Sequence, residues 1–240
     1  AKEIAPFLIR FGVDTAEFLE PVESFRTFNE FFFRRLRPEA RPLAPGPDTV
    51  LFPADGRHLL VSDLSSDSTI FAKGRRFDLT ALLGDSNLAA EFGGGSAVLS
   101  RLCPTDYHRF HFPLEGECGE ARMINGMLYS VSPIALARSL RYLYENKRRV
   151  TEMRHPVIGR YLFLEIGATN VGGIVDTASP GPVAKGEEKG YFRFGGSMVI
   201  TLFPSGTFEP AEDLRDQSAA GIELYARMGD RMGSLKAPGQ

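Results

Sequence analysis

The first part of the chain carries a helical pattern of apolar residues. Apolar side chains recur three or four positions apart at Ile4, Phe7, Leu8 and Phe11. This spacing predicts helical structure over about the first 45 residues. Thr27, three positions before Glu30, matches a capping box and predicts that a helix begins there and runs through 31–36. Pro38 and Pro42 should end that helix, because proline lacks a backbone N–H.

From Thr49 onward, short apolar runs alternate with turn residues, and a helical spacing returns only over 133–146. Short apolar runs between glycines and prolines are typical of strands. They lie at 49–53, 58–63, 69–73, 96–102, 109–112, 119–125, 149–154, 160–166 and 198–203. The sequence therefore predicts an α+β fold in one domain over 1–240, with an N-terminal helical cap over 1–45 and a β-rich single core over 49–205.

Composition narrows the function classes. The 240 residues include 28 Lys and Arg against 30 Asp and Glu, so the chain lacks the positive excess of a generic nucleic-acid binder. Two cysteines, Cys103 and Cys118, are too few for a disulfide scaffold and favour a reducing compartment. No apolar run approaches the ~18 residues of a membrane span, and no signal peptide is recognisable. A soluble globular protein with no nucleic-acid partner is expected, and peripheral membrane attachment remains compatible with this composition.

Two histidines are the first candidates for chemistry. His108 and His111, two of only four histidines, stand three apart just after a Pro-Thr-Asp turn. Because the ordinary pKa of histidine lies near neutrality, this pair suits proton transfer. A metal site would need a third ligand that no cysteine or HExxH motif supplies, so no metal is predicted. A pair of hydrogen-bonded surface histidines fits the spacing as well, whereas the isolated His58 and His155 are interpreted as structural.

Two short motifs supply further candidates. Gly195 and Gly196 precede Ser197, so the backbone can take strained dihedrals that expose the Gly196 carbonyl to the serine hydroxyl, as an N→O acyl shift requires. A glycine-rich β-bulge leading into a strand has the same sequence pattern. Asp55, in the pair Asp55-Gly56 between two predicted strands, fits an ordinary hairpin turn when taken alone.

Taken together and in order, these segments resemble the phosphatidylserine decarboxylase family over about residues 25–205. No single motif is decisive, but the ordered set is specific. The matching segments are Phe28-Asn29-Glu30-Phe31-Phe32-Phe33-Arg34-Arg35-Leu36, Arg41-Pro42, Pro53-Ala54-Asp55-Gly56-Arg57, Asp106-Tyr107-His108-Arg109 with His111, Glu145-Asn146-Lys147-Arg148, Gly167-Ala168-Thr169-Asn170-Val171-Gly172, Lys185-Gly186-Glu187 and Gly190-Tyr191-Phe192-Arg193-Phe194-Gly195-Gly196-Ser197.

The resemblance implies a self-processing proenzyme on a β-rich α+β fold. Members of the family cleave themselves before the serine of a Gly-Ser pair, which here lies between Gly196 and Ser197. By the same resemblance, Asp55, His111 and Ser197 would form a triad. Asp55 would orient His111, which would take the serine proton as the hydroxyl attacks the preceding carbonyl.

Cleavage would leave a large chain, 1–196, and a small chain, 197–240, capped by a pyruvoyl group made from Ser197. The resemblance implies that this covalent pyruvoyl group is the cofactor. It would form a Schiff base with the serine amine of phosphatidylserine and draw in electrons as CO2 leaves. His108 would assist decarboxylation or reprotonate the carbanion, giving phosphatidylethanolamine.

One residue departs from the family's pattern. The family usually has Thr or Ser after the cleavage serine, whereas this chain has Met198, which offers no hydroxyl for hydrogen bonding. Two alternatives stay open. One is a pyruvoyl-dependent decarboxylase of a free amino acid, and the other is a non-cleaving homologue that binds anionic lipid, which only Met198 favours.

A two-chain phospholipid substrate stays in its bilayer, so the protein is expected at a membrane surface, peripherally and on the cytoplasmic face of the cell membrane. Residues 1–20 are an amphipathic candidate for this contact, and the arginines of 34–37 could meet anionic headgroups. The apolar side chains available are Phe7, Leu8, Phe11, Phe18 and Leu19. Packing of 1–20 on the sheet or in a homodimer interface fits the pattern equally. The phenylalanines of 28–33 are expected in the core, with the arginines left open.

Overall fold

The structure, a computed structural model, describes residues 2–65, 78–168 and 173–236. Within these ranges the helices are α1 Ile4–Phe11, α2 Phe28–Phe32, α3 Leu79–Leu83, α4 Ser86–Glu91, α5 Pro133–Arg138, α6 Arg141–Glu145 and α7 Glu212–Ala219. The strands there are β1 Thr49–Leu51, β2 Gly56–Val61, β3 Ser96–Leu102, β4 Arg109–His111, β5 Gly116–Ile124, β6 Arg148–His155, β7 Gly159–Gly167, β8 Ile174–Asp176, β9 Gly181–Val183, β10 Glu188–Phe192, β11 Ser197–Phe203, β12 Phe208–Pro210, β13 Leu224–Ala226 and β14 Arg231–Leu235. This content confirms the predicted α+β fold with N-terminal helices.

An antiparallel sheet of eight strands runs through the fold in the order β13-β2-β3-β11-β7-β6-β5-β9. Helices α3–α6 cover one face of it and bury an apolar cluster that includes Leu82, Leu143 and Met198. Two three-stranded sheets, β1-β14-β12 and β4-β10-β8, cover the opposite face. Phenylalanines such as Phe110 and Phe163 fill the space there. Because successive side chains of a strand point to opposite faces of the sheet, the central strands contribute side chains to both apolar clusters.

The N-terminal segment folds as short elements around a third apolar cluster. Its buried members are Ile4, Phe18, Phe25 and Phe31. The predicted cap is confirmed, since the Glu30 N–H donates to the Thr27 hydroxyl oxygen at 3.1 Å. The helix ends at Phe32 instead of continuing through 36, because Leu36 bridges to Phe18 in an extended pairing. The first 45 residues are therefore less helical than the apolar spacing predicts.

Most predicted strands are present. The prediction 96–102 has the bounds of β3, while 109–112 ends one residue earlier as β4 and 198–203 begins one residue earlier as β11. The helix predicted over 133–146 is instead α5 and α6, because the extended backbone of Ser139 (φ −156°) ends the first of them. The strand predicted over 69–73 lies outside the described residues. None of the helices in the described ranges is long and apolar enough to cross a membrane.

Candidate active site

Ser197 is the first residue of β11, in the interior of the eight-stranded sheet. It is fully buried, and its backbone pairs with Leu102 of β3 and Gly167 of β7. Among the described residues its Oγ has no hydrogen-bond partner. Gly195 has a φ of +145°, which a side chain would strain, so glycine lets the chain bend into the strand here. The Ser197 hydroxyl is thus buried and makes no hydrogen bond among the described residues.

The carbonyl before Ser197 already meets a hydrogen-bond donor. The Ala168 backbone N–H donates to the Gly196 oxygen at 3.1 Å. Attack on that carbonyl would place negative charge on its oxygen, and a donor aimed at the oxygen stabilises this charge. The motif residues that follow Ala168, 169–172, lie outside the part of the chain that the structure describes.

Met198 points away from Ser197. Successive side chains of a strand face opposite sides of the sheet, and Met198 is buried in the cluster beneath α3–α6. Val199, on the same face as Ser197, belongs to the other cluster. A hydroxyl residue at position 198 would therefore place its oxygen among apolar side chains, on the other face of the sheet from the serine hydroxyl.

His108 is a buried neutral base with one free nitrogen. Its Nδ1 donates to the Asp106 carbonyl at 2.9 Å, and its Nε2 has no partner among the described residues. Burial lowers the pKa of His108 to about 3, so the neutral ring carries its lone pair on Nε2. The Phe32 ring lies against the imidazole, with the two centroids 3.7 Å apart. The Phe192 N–H donates to the His108 carbonyl at 2.9 Å and fixes its backbone against β10.

His111 is held at both ring nitrogens. Its Nδ1 lies 3.0 Å from the Gly186 carbonyl oxygen, and its Nε2 lies 3.3 Å from the Tyr107 hydroxyl. The backbone N–H of His111 donates to the Pro53 carbonyl at 2.8 Å, which ties β4 to the segment before Asp55. Burial lowers the pKa of His111, so this ring is also neutral at neutral pH.

Asp55 lies two residues beyond Pro53, but other donors occupy its carboxylate. Arg41 donates from Nε to Oδ1 at 2.8 Å and from Nη2 to Oδ2 at 2.5 Å. The Met228 backbone N–H donates to Oδ1 at 2.9 Å. Among the described residues no hydrogen bond joins Asp55 to His111, although the carboxylate charge raises the pKa of that ring against the effect of burial. The two residues therefore share a neighbourhood without the direct contact of a triad.

The sequence pattern assigns no role to two side chains of this site, Arg41 and Tyr107. Arg41 is 8% exposed and pairs with Glu17 at 3.0 Å as well as with Asp55. Tyr107 is 5% exposed and contacts His111. Both residues lie within the motifs that carry the family resemblance, and this is the one signal that points to them. Their partners come from other segments or from the turn geometry, which a linear pattern does not show.

The other histidines and the arginine cluster lie in structural positions. His58 is fully buried with both ring nitrogens in hydrogen-bonding contact, and burial lowers its pKa to about 3. His155 is also buried. Phe31 is in the core as expected, but the expectation of open arginines is wrong for Arg34, which packs over the Phe18 and Phe31 rings. Burial lowers the pKa of Arg34 to about 10.

Known proteins match this chain along most of its length. A sequence model of the phosphatidylserine decarboxylase family matches residues 28–234. The phosphatidylserine decarboxylase proenzyme of Chlamydia muridarum (strain MoPn / Nigg) is 44% identical over 231 residues, which cover 96% of this chain and 77% of that protein. The proenzyme of Chlamydia pneumoniae is 42% identical over 233 residues, which cover 97% of this chain and 77% of that protein. On this match, the chain belongs to the phosphatidylserine decarboxylase family.

Proposed function

We propose that this decarboxylase converts phosphatidylserine to phosphatidylethanolamine and CO2 with a pyruvoyl group that it makes from its own Ser197. The observation that carries the proposal is the buried Ser197 hydroxyl. It lacks a hydrogen-bond partner among the described residues and follows a carbonyl that already accepts a backbone N–H. A buried hydroxyl without a partner costs about 1–3 kcal/mol of stability. Thr201 on the same strand shares this feature, but only Ser197 directly follows the Gly195-Gly196 pair and the carbonyl to be attacked.

In the proposed maturation, Ser197 Oγ attacks the Gly196 carbonyl carbon and its proton passes to His111 Nε2. The peptide C–N bond breaks as the leaving nitrogen takes that proton, and the peptide bond becomes an ester. β-Elimination then removes the α-proton of residue 197 and releases 1–196 as a carboxylate. Water adds to the remaining dehydroalanine and ammonia leaves, so a pyruvoyl group forms the N-terminus of the small chain, 197–240.

The two histidines are assigned to different steps. His111 receives the serine proton. Burial lowers the pKa of this ring, and the charge of Asp55 is one of the smaller effects that oppose the lowering and so favour the protonated form. His108 is assigned to the decarboxylation, where its free Nε2 would take the proton that the ammonium group of the substrate must lose and deliver it to the carbon that lost CO2. Burial keeps His108 neutral beforehand, so its lone pair is available at neutral pH.

The start of β11 fits a pyruvoyl group. Ser197 is fully buried, which keeps bulk water away. Its Oγ makes no hydrogen bond among the described residues, so conversion of the hydroxyl to an uncharged carbonyl group would break none. When present, a pyruvoyl group supplies a carbonyl that withdraws electrons from the bond to the departing carboxylate.

Cleavage is expected to leave the two chains bound to each other. β11 lies between β3 and β7, while β13 and β14 pair with β2 and β1, so three strands of the small chain are hydrogen-bonded to strands of the large chain. The apolar side chains of β11 are at most 1% exposed, and burial of each contributes about 1.5–3 kcal/mol. This packing replaces the peptide bond as the link between 1–196 and 197–240.

Met198→Thr is expected to lower stability without speeding self-cleavage. The change exchanges a buried apolar side chain for a hydroxyl among apolar neighbours, at a cost of about 1–3 kcal/mol. Urea unfolding in a Ser197→Ala background measures the cost on uncleaved chains, and a time course of chain separation after cell-free synthesis measures the rate. Faster cleavage by Met198→Thr would show that a hydroxyl at this position takes part.

An exposed apolar face borders the proposed site and is its proposed contact with the membrane. Four phenylalanine rings form a chain of contacts along this face, in the order Phe11, Phe7, Phe28 and Phe194. Phe194, 42% exposed, also contacts Phe32, the ring that lies against His108. Peripheral binding at the cytoplasmic face of the cell membrane would bring a phospholipid headgroup to this position. A second copy of the chain, in a homodimer, is the alternative occupant of the face.

An assay that compares a lipid substrate with free amino acids tests the function. The purified protein should release CO2 from phosphatidylserine in vesicles, and not from free serine or free aromatic amino acids without vesicles. The Ser197→Ala protein should release none from any of them. CO2 release from a free amino acid without vesicles, with vesicles inactive, would replace the lipid with a soluble substrate.

A further inference from the structure

The proposed base His111 has a second ring partner besides the Gly186 carbonyl. A carbonyl oxygen only accepts, so Nδ1 carries the proton of the neutral ring and Nε2 carries the lone pair. The Tyr107 hydroxyl, 3.3 Å from Nε2, therefore donates to that lone pair. When Nε2 takes a proton, the same hydroxyl can turn about its C–O bond and accept from the new N–H. Tyr107 is thus a partner for Nε2 in both protonation states.

Tyr107 is fixed in this position. Its side chain is buried, and its ring centroid lies 5.8 Å from that of His111 and 6.0 Å from the Arg41 guanidinium carbon. Burial raises the pKa of Tyr107 well above its ordinary value, so the hydroxyl keeps its proton. A neutral hydroxyl on a packed ring holds its partner in one orientation.

The carboxylate expected to support the protonated His111 is engaged elsewhere. Both oxygens of Asp55 accept from Arg41, and one also accepts from a backbone N–H. The other charged groups that act on the ring are Glu188, which favours its protonated form, and Arg109, which opposes it. These two form an ion pair with each other at 2.7 Å. Within the described ranges, the hydrogen-bond partners of the His111 ring are the Tyr107 hydroxyl and the Gly186 carbonyl.

We propose that Tyr107 is a positioning residue for self-cleavage: its hydroxyl holds Nε2 of His111 in place and accepts from it once that nitrogen has received the Ser197 proton. The inference rests on the proposed function, in which His111 takes that proton. The bonds that form and break are those of the acyl shift alone. Ser197 loses one proton, His111 gains it, and Tyr107 keeps its own.

Tyr107→Phe removes the hydroxyl and keeps the ring. We expect self-cleavage to slow about 10- to 100-fold, the loss typical of a hydrogen bond to a charged group. The acid limb of the rate–pH profile should move to lower pH, because the protonated ring loses an acceptor and the pKa of His111 falls further. The measurement follows the appearance of two chains after cell-free synthesis and dilution into buffers of graded pH.

Tyr161→Phe is the matched control, since Tyr161 is fully buried and its hydroxyl donates instead to the Leu114 carbonyl at 3.4 Å. A Tyr107→Phe rate equal to the Tyr161→Phe rate would overturn the inference. A lower rate with an unmoved acid limb would also overturn it, because a merely structural role slows cleavage equally at every pH. Normal cleavage by His111→Ala would instead refute the role of His111 in the proposed maturation, and the inference with it, so the two failures are distinguishable.

Discussion

Ser197→Ala is expected to abolish self-cleavage and leave one folded chain. The substitution removes the only atom that can attack the Gly196 carbonyl in the proposed maturation. It should not destabilise the fold, because the lost hydroxyl has no hydrogen-bond partner among the described residues, and its removal leaves no other group unpaired. A denaturing gel reports the cleavage, and a single cooperative urea transition reports the fold.

Thr201→Val is the control for this result. Thr201 lies on the same face of β11, is fully buried, and also has a side-chain oxygen without a partner among the described residues. The valine variant should cleave at the normal rate, because its hydroxyl is not the nucleophile. Two chains from Ser197→Ala would show that the serine hydroxyl does not cleave the chain. One folded chain from Thr201→Val would show that cleavage is also lost when a hydroxyl other than the nucleophile is removed, so the Ser197→Ala result would not identify the nucleophile.

Arg41→Met is expected to lower the free energy of unfolding by about 3–5 kcal/mol, because it leaves the buried Asp55 carboxylate without its ion-pair partner. Asp55 is 2% exposed, so water cannot replace the lost donors. The measurement is urea unfolding in a Ser197→Ala background, in which all the compared proteins are single chains.

Arg35→Met is the surface counterpart of this change. The Arg35 side chain is 58% exposed and pairs with Glu20, so its loss should cost about 0–1 kcal/mol. The double variant Arg41→Met/Asp55→Asn should regain much of the lost stability, since it removes the unpaired charge as well. An Arg41→Met protein as stable as the Arg35→Met protein would show that the buried pair contributes nothing.

The central strands were predictable because each carries a continuous or alternating run of apolar residues. β11 buries all of its side chains between two layers, and its apolar run is visible in the sequence. β10 is different, since it includes the buried Lys189, whose Nζ pairs with Glu165 of β7 at 2.5 Å and with Asp176 of β8 at 3.4 Å. No local pattern shows a partner in another strand, so such strands emerge only from the tertiary structure.

For the candidate site, the sequence identifies the residues but not their hydrogen-bond partners. Spacing and motif order single out His108, His111 and Ser197, whose side chains the structure buries. The same motifs name Asp55 but not its partner, because Arg41 stands 14 residues earlier in a segment without regular structure. Hydrogen-bond partners depend on how loops meet, and sequence spacing does not specify that.

The intact mass of the purified protein under denaturing conditions tests self-cleavage most directly. We predict two chains divided between Gly196 and Ser197, the smaller one lighter by one ammonia than a chain that begins with serine. That result would establish both the cleavage and the conversion of Ser197. A single chain of 26.4 kDa that persists on long incubation would contradict self-cleavage, and with it the pyruvoyl group.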